Sequence, residues 1–143
     1  MPRAMWRCPA CGRTFANRQQ RHTCAALGDL ERHFAGADPA VRAAYDRVLA
    51  AVPGPCEVLP EKTRIALHAR MSFAALMPRR HWLDGHLVLA RRLESPRFRR
   101  VETFSARNVL HAFRLTGPED VDDAFAGWVA EAYDVGLQRH LAS

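Results

Sequence analysis

The chain has 143 residues, of which 48% are apolar and 25% charged, and its net charge is +6 at neutral pH. This is the composition of a folded domain rather than a disordered segment. No apolar run approaches the roughly 20 residues of a membrane helix, and the first residues lack the apolar stretch of a signal peptide. These features exclude a membrane protein, a secreted disulfide scaffold and a large multidomain enzyme, and predict a cytosolic protein with no membrane partner.

The charge is distributed unevenly along the chain. Residues 1–24 have five arginines and no acid, residues 70–100 have eight arginines and two acids, and residues 101–143 are acidic. Two basic segments in a small protein are typical of a surface that binds a polyanion. The alternative is a solvated surface that is merely rich in arginine, since Lys62 is the only lysine and base composition alone can produce such a bias.

The first 26 residues form a separate unit marked by cysteine and histidine. Cys8 and Cys11 have the two-residue gap of a zinc knuckle, and His22 and Cys24 follow after ten more residues. Three thiolates and one imidazole complete a tetrahedral site, which is closed and therefore structural. The pattern predicts that this unit folds around Zn²⁺.

The spacing of the last two predicted ligands differs from that of the two-Cys two-His finger. One residue separates them, where that finger uses three to five. The usual recognition helix therefore cannot be assumed, and His33 is an alternative ligand if His22 points away. Small zinc units also serve as protein-docking pieces or as staples for a fold.

Two segments have the apolar periodicity of amphipathic helices. Asp38 and Pro39 provide an N-cap followed by proline at the first helical position, and apolar residues then repeat at helical spacing until Pro53. A second apolar stripe follows the acidic residues at 119–120 and extends to Tyr133. These patterns predict helices of about four and about five turns.

Residues 56–115 alternate short apolar runs with turn residues. Strands this close together pair through hairpins, so the sheet is predicted to be mostly antiparallel. The predicted strands are Cys56–Leu59, Thr63–Ala69, Ser72–Met77, Trp82–Arg91, Arg99–Phe104 and Val109–Leu115. Residues 27–143 are therefore predicted to form an α+β domain, with a mostly antiparallel sheet of about five or six strands flanked by two main helices.

Several basic residues are candidates for contacts with a nucleic acid or another anion. Arginine and aromatic residues interleave around the strand ends of residues 79–100, a combination that binds phosphates and stacks on bases. The alternative is a solvated hairpin end with Trp82 in the core. The candidate contacts in the N-terminal unit are Arg7, Arg13, Arg18 and Arg21, and those in the domain are Lys62, Arg64, Arg79 and Arg80.

No catalytic motif is visible in the sequence. It contains no glycine-rich phosphate loop, no Gly-x-Ser-x-Gly elbow and no acidic cluster suited to magnesium. Four histidines are spread over the predicted strands. For each of them we predict a structural role, with a half-buried ring whose nitrogens are hydrogen-bonded. They are His68, His81, His86 and His111.

Three functions remain open. The first is a nucleic-acid-binding module with structural zinc, and the second is an adaptor that binds a protein partner. The third is a small-ligand-binding domain or an enzyme with a pocket near Lys62, between the sheet and a helix.

The segment CPACGRTFANRQQRHTC resembles the zinc-finger-like opening of bacterial proteins that carry the domain of unknown function numbered 5655. The segments HFAGADPAVRAAYDRVLAAV, KTRIALHARMSFAALMPRR, RFRRVETFSARNVLHAFRLTGPEDVD and WVAEAY resemble that domain. The resemblance covers nearly the whole chain. It implies an α+β domain, with Cys8, Cys11, His22 and Cys24 as metal ligands, and it brings no established activity. Relatives occur beside nuclease-like or DNA-processing modules, which favours nucleic acid as the partner.

Overall fold

The computed structural model describes residues 4–9, 14–16 and 28–139. Within these residues there are two α-helices, α1 (Pro39–Ala50) and α2 (Asp123–Gly136), and short 3-10 helices at Leu30–Phe34 and Pro118–Asp120. The strands are β1 (Trp6–Arg7), β2 (Thr14–Phe15), β3 (Glu57–Pro60), β4 (Ile65–His68), β5 (Ser72–Pro78), β6 (Leu83–Leu89), β7 (Phe98–Ser105) and β8 (Asn108–Leu115).

Strands β3 to β8 form one antiparallel sheet in the order β3-β4-β5-β6-β8-β7. The consecutive strands β3, β4, β5 and β6 are neighbours in chain order and are joined by short turns. Strand β7 lies at the edge of the sheet, beyond β8. Strands β1 and β2 form a separate two-stranded ladder. The predicted α+β fold, with its antiparallel sheet and two main helices, is therefore confirmed.

Both α-helices pack on the same face of the sheet. Leu83, Leu87 and Leu89 alternate along β6, and all three are fully buried in the core that contains residues of both helices. Phe125 of α2 contacts Phe113 of β8 edge-on, with ring centroids 4.9 Å apart. Burial of each such side chain contributes about 1.5–3 kcal/mol to folding.

Two glycines allow this close packing. A Cβ atom on Gly85 would lie 2.7 Å from the carbonyl oxygen of Ala75 and 2.7 Å from the ring of Phe113. A Cβ atom on Gly136, in the last turn of α2, would lie 2.5 Å from the ring of Phe73. All three distances are shorter than normal contacts of a Cβ atom, so a side chain at either position would force neighbouring atoms to shift.

Helix α2 begins later than the sequence predicts. Its N-cap is Asp122, whose carboxylate accepts a hydrogen bond from the amide of Phe125 at 2.9 Å. Asp120, one of the acids assigned to the first turn, instead accepts a hydrogen bond from the amide of Thr116 at 2.7 Å. None of the described helices has the length and apolarity needed to cross a membrane.

Helix α1 begins at Pro39, as the sequence predicts, and Asp38 precedes it. The carboxylate of Asp38 does not cap the helix but lies 2.7 Å from Nδ1 of His81. The amide of Asp38 donates to the carbonyl oxygen of Arg80 at 2.8 Å. The start of α1 is therefore attached to the turn between β5 and β6.

The β1–β2 ladder contacts the sheet where β4 ends and β5 begins. Nε2 of His68 donates to the carbonyl oxygen of Thr14 at 3.0 Å, and the Thr14 hydroxyl donates to Glu57 at 3.2 Å. The amide of Ala16 donates to the carbonyl oxygen of Arg70 at 3.1 Å. These bonds hold the ladder at the end of the sheet where β3 starts.

Candidate anion-binding end of the sheet

Four of the predicted contact residues lie together at one end of the sheet. Lys62 and Arg64 are in the turn between β3 and β4, and Arg79 and Arg80 are in the turn between β5 and β6. The two turns are neighbours because β4 and β5 pair directly. All four side chains are exposed. We call this end of the sheet, where β3, β5 and β8 finish, the basic end.

The start of β7 and the end of β8 add three arginines to the basic end. Arg99 and Arg100 follow Phe98, the first residue of β7, and Arg114 is the second-last residue of β8. The sequence places Arg99 and Arg100 in an arginine-rich segment, but it gives no signal for Arg114, which lies between apolar residues. Only the pairing of Arg114 with Asp84 in β6 brings it to this position.

Few carboxylates compensate the positive charge of the basic end. Arg79 and Arg114 share Asp84, at 3.4 and 2.8 Å, and Arg100 pairs with Glu102 at 2.9 Å. Across residues 4–9, 14–16 and 28–139, the structure shows no ion pair for the other four cations, which are Lys62, Arg64, Arg80 and Arg99. Four of the seven cations of the basic end are therefore exposed without an ion pair in the described part of the chain.

Asp84 organises the centre of the basic end. Its Oδ1 accepts from Nε of Arg114 at 2.8 Å, and its Oδ2 accepts from Nε1 of Trp82 at 3.2 Å. Burial alone would raise the pKa of Asp84, but the hydrogen bonds from Arg114 and Trp82 outweigh it and lower the pKa. The guanidinium of Arg114 lies 4.3 Å from the centre of the Trp82 ring, a cation–π contact. Trp82 is therefore half-buried beneath an arginine rather than in the core.

A row of three alanines, one histidine and one arginine crosses the face of the sheet opposite the helices. Register pairs Ala66 with Ala75, Ala75 with His86, His86 with Ala112, and Ala112 with Arg100. None of these residues belongs to the core beneath the helices. Ala66 and Ala75 are buried, with 4% and 2% of their surface exposed, whereas His86 is half-buried and Arg100 is exposed.

His86 differs from the other strand histidines because its ring makes no hydrogen bond within the described part of the chain. The side chain is half-buried. Burial and, to a lesser extent, the nearby charges of Arg64 and Arg100 together lower the pKa of His86 to about 4. The ring is therefore neutral at pH 7, with one donor and one acceptor nitrogen available. His86 therefore does not fit the predicted role of a structural histidine whose ring nitrogens are hydrogen-bonded.

The other three histidines fit the structural role. Nε2 of His111 accepts from the amide of Leu93 at 2.9 Å, and its Nδ1 donates to the carbonyl oxygen of Val109 at 2.9 Å. His68 and His81 make the bonds to the β1–β2 ladder and to the start of α1 described above.

The predicted zinc site lies partly within the described residues. Cys8 follows β1, and its side chain is buried, with 5% exposed. Among the residues that the structure describes, no group of three or more potential metal ligands occurs. The alternative ligand His33 donates from Nε2 to the carbonyl oxygen of Glu61 at 2.8 Å. The other three predicted ligands lie outside the described residues and are Cys11, His22 and Cys24.

The predicted N-terminal contacts are not brought to the basic end within the described residues. Arg7 lies in β1, in the ladder that contacts the opposite end of the sheet. The remaining three, which are Arg13, Arg18 and Arg21, lie outside the described residues.

A pocket of about 300 Å³ opens beside the basic end, near the first residues of β7. Its lining includes Arg97, Arg99, Phe113, Arg114, Leu115 and Phe125. Lys62 is exposed in its turn and does not line this pocket. This pocket is therefore not the one that the sequence analysis proposed near Lys62.

The model of the family described as Domain of unknown function (DUF5655) matches residues 30–136. The match includes both α-helices, strands β3 to β8 and the whole basic end. It begins after the four predicted zinc ligands. No curated protein and no solved structure matches the chain.

Proposed function

The chain belongs to the family of this domain of unknown function, and we propose that its basic end binds nucleic acid, mainly through the phosphates. The observation that carries the proposal is the convergence of seven cations from four separate segments of the chain, four of them without an ion pair in the part that the structure describes. Exposed charge of this kind attracts a phosphate backbone and displaces its counterions.

The chemistry of the side chains supports contacts with phosphate. Arginine presents a planar fork of donors that binds two phosphate oxygens at once. The half-buried His86 ring lies near Arg64 and Arg100, and its N–H group, which forms no hydrogen bond in the described part of the chain, can donate to a phosphate oxygen.

The proposal is tested by fluorescence anisotropy with labelled single-stranded DNA, duplex DNA and single-stranded RNA over a range of NaCl concentrations. We expect log K to fall linearly with log salt, by about 0.7 per phosphate contact for single strands and about 0.9 for duplex DNA. The double variant Arg64→Gln/Arg80→Gln should weaken binding about tenfold at low salt and reduce the slope by about two contacts.

The matched control for this variant is Arg92→Gln/Arg107→Gln, which removes the same charge. Arg92 follows β6 and Arg107 lies in the turn between β7 and β8, both at the other end of the sheet, and both are exposed. The control should bind almost as tightly as the unchanged protein. Equal losses in both variants, or no binding at physiological salt, would contradict the proposal. Capture of one protein partner with little salt dependence would instead favour an adaptor.

We also propose that Cys8 binds a structural Zn²⁺ together with Cys11, His22 and Cys24. The burial of Cys8 directly after β1 supports this, because a closed structural site keeps its thiolates away from solvent. When bound, zinc would supply folding energy to the N-terminal unit. Cys56 is half-buried outside this set, and burial raises the pKa of its thiol, which disfavours the thiolate that a metal needs.

Metal analysis of the purified protein tests the zinc proposal. We expect one zinc ion per chain, loss of that zinc in Cys11→Ser, and full retention in the matched variant Cys56→Ser. Absence of zinc after refolding with the metal would contradict the proposal. Equal zinc loss in both variants would contradict the assignment of the ligands.

A further inference from the structure

We propose that two copies of this chain associate through their β7 strands, which pair antiparallel about a two-fold axis at Val101 and join the two sheets into one. This proposal concerns the edge of the sheet and does not rest on nucleic-acid binding. It is argued from the open edge of β7, from charges that complement each other in one register, and from an exposed aromatic side chain on the same strand.

Strand β7 is a long edge strand. It has eight residues, and β8 is the only strand that pairs with it in the described part of the chain. Outside the sheet itself, no backbone hydrogen bond between described residues involves residues 99–105. Because alternate residues of a strand direct their N–H and C=O groups to opposite sides, the outer side of β7 presents unpaired groups that can bind another strand.

The opposite edge of the sheet, β3, is partly occupied. The carbonyl oxygen of Pro60 accepts a hydrogen bond from the amide of Gly28 at 2.8 Å, and the Thr14 hydroxyl donates to the Glu57 carboxylate at 3.2 Å. The outer side of β7 has no comparable backbone partner among residues 4–9, 14–16 and 28–139. Strand β7 is therefore the edge that is open to a further strand.

The centre of β7 is regular and carries both signs of charge. Its register with β8 is uninterrupted over residues 100–103. Arg100 and Glu102 lie on the face opposite the helices, and their side chains form an ion pair at 2.9 Å. Val101 lies between them on the helix side, where it packs against the core.

Symmetry limits the registers that two such strands can adopt. Antiparallel edges join two sheets only about a two-fold axis perpendicular to the sheet, so facing side chains lie on the same side and the axis passes through a residue. An axis at Arg100 or at Glu102 sets that side chain against its own copy, with like charges facing. Only an axis at Val101 sets each Arg100 against the partner's Glu102, twice in one interface. Opposite charges across a strand pair stabilise it and like charges destabilise it, which favours this register.

Phe104 supports the same register. Its side chain is 66% exposed, and no other large apolar side chain among the described residues is exposed. With the axis at Val101, position 104 comes beside the start of the partner's β7. Pairing therefore removes apolar surface of Phe104 from water, which favours association.

Analytical ultracentrifugation of the full chain, free of nucleic acid, tests the proposal from micromolar to millimolar concentrations. We expect a reversible monomer–dimer equilibrium, because a two-fold pairing closes after two copies. Arg100→Glu and Glu102→Arg should each raise the dissociation constant at least tenfold, since each change sets like charges against one another at both contacts. Phe104→Ser should raise it several-fold.

A mixture of the two charge variants gives the sharpest result. Arg100→Glu has two acids at these positions and Glu102→Arg has two bases, so each variant repels its own copy and complements the other. We expect the mixture to form a heterodimer with about the affinity of the unchanged protein. Loss of the ion pair within one chain cannot produce this recovery, because both variants lack that pair.

The matched control is Arg32→Glu, an exposed position in the 3-10 helix that contacts β3, at the other edge of the sheet. It makes the same charge change as Arg100→Glu and should dimerise as the unchanged protein does. A protein that stays monomeric at millimolar concentration would overturn the proposal. Equal losses in Arg32→Glu and Arg100→Glu, no recovery in the mixture, or species larger than a dimer would also overturn it. Circular dichroism establishes that each variant is folded.

Discussion

The backbone amide of Leu93 donates a hydrogen bond to Nε2 of His111 over 2.9 Å. Because an amide nitrogen donates and cannot accept, Nε2 carries no proton, and the single ring proton lies on Nδ1, which donates to the carbonyl oxygen of Val109. Burial lowers the pKa of His111, which agrees with a neutral ring. A neutral imidazole in β8 therefore holds the segment that leads into β7.

We expect the free energy of unfolding to fall as the pH is lowered from 7 to 5. The folded protein holds His86 and His111 neutral, whereas the unfolded chain protonates them near their ordinary pKa of about 6.5. The unfolded state therefore binds more protons below that pH and is favoured. With a folded pKa of about 4, His86 alone accounts for at most about 2 kcal/mol at pH 5.

Urea denaturation at pH 7 and pH 5 measures this loss, in the unchanged protein and in His86→Gln. The variant should lose less stability between the two pH values than the unchanged protein does. Asp84 and Asp122 have lowered pKa values, so the stability that they contribute is lost only at lower pH, near and below 4. An identical pH dependence in His86→Gln would contradict the prediction.

Substitution of Gly85 by alanine should destabilise the protein by about 1–3 kcal/mol, because the new methyl group would meet the Ala75 carbonyl and the Phe113 ring. The matched variant is Gly127→Ala in α2, where a Cβ atom meets no atom within 4 Å. Alanine there should stabilise the helix by up to about 1 kcal/mol. Thermal unfolding of both variants measures the difference, and a Gly85→Ala protein as stable as Gly127→Ala would show that the sheet relaxes freely.

Replacement of Asp84 by asparagine should strengthen nucleic-acid binding several-fold at low salt. The change removes the carboxylate shared by Arg79 and Arg114, so both guanidinium groups become available to phosphates, while the amide oxygen still accepts from Trp82. The salt slope should become steeper by about one contact. Asp134→Asn, on α2, changes the net charge equally and should leave the slope unchanged. Weaker binding by Asp84→Asn would contradict the prediction. It would show that nucleic-acid binding needs the position that Asp84 gives the Arg114 guanidinium.

Loss of the His68 imidazole should loosen the β1–β2 ladder without unfolding the sheet. His68→Phe leaves the carbonyl oxygen of Thr14 without its donor, which costs about 1 kcal/mol. Hydrogen exchange at the amide of Ala16, which bonds to Arg70, should become faster, while the amides of β5 and β6 keep their protection. His81→Phe provides the control. Unchanged exchange at Ala16 would show that other contacts hold the ladder.

The sequence predicts the fold well because the patterns that specify strands, helices and turns extend over only a few neighbouring residues. Alternation in Leu83–Leu89 and in Val109–Leu115 indicates which face is buried, and the short turns between successive strands indicate that the sheet is antiparallel. The start of α2 is less determined locally, because Asp120 and Asp122 are equally good caps by sequence, and only the bond from Asp122 to Phe125 distinguishes them.

The candidate site is predicted only in part, because it depends on contacts between distant residues. Lys62, Arg64, Arg79 and Arg80 are recognisable as basic residues in turns, but their proximity follows from strand order. The roles of Arg114 and His86 depend on cross-strand register, which no local pattern reveals. The pocket likewise depends on where one strand starts relative to another.

The position of β7 has a consequence for biosynthesis. Strands β4 to β6 each pair with the strand made just before, so β3 to β6 can assemble as the chain emerges from the ribosome. Strand β7 has only β8 as a neighbour, and β8 is made later. A nascent chain that ends at Ser105 therefore has no place for its newest strand. Strand β7 can join the sheet only after β8 has been made, so the part of the basic end that contains Arg99, Arg100 and Arg114 is completed late in synthesis.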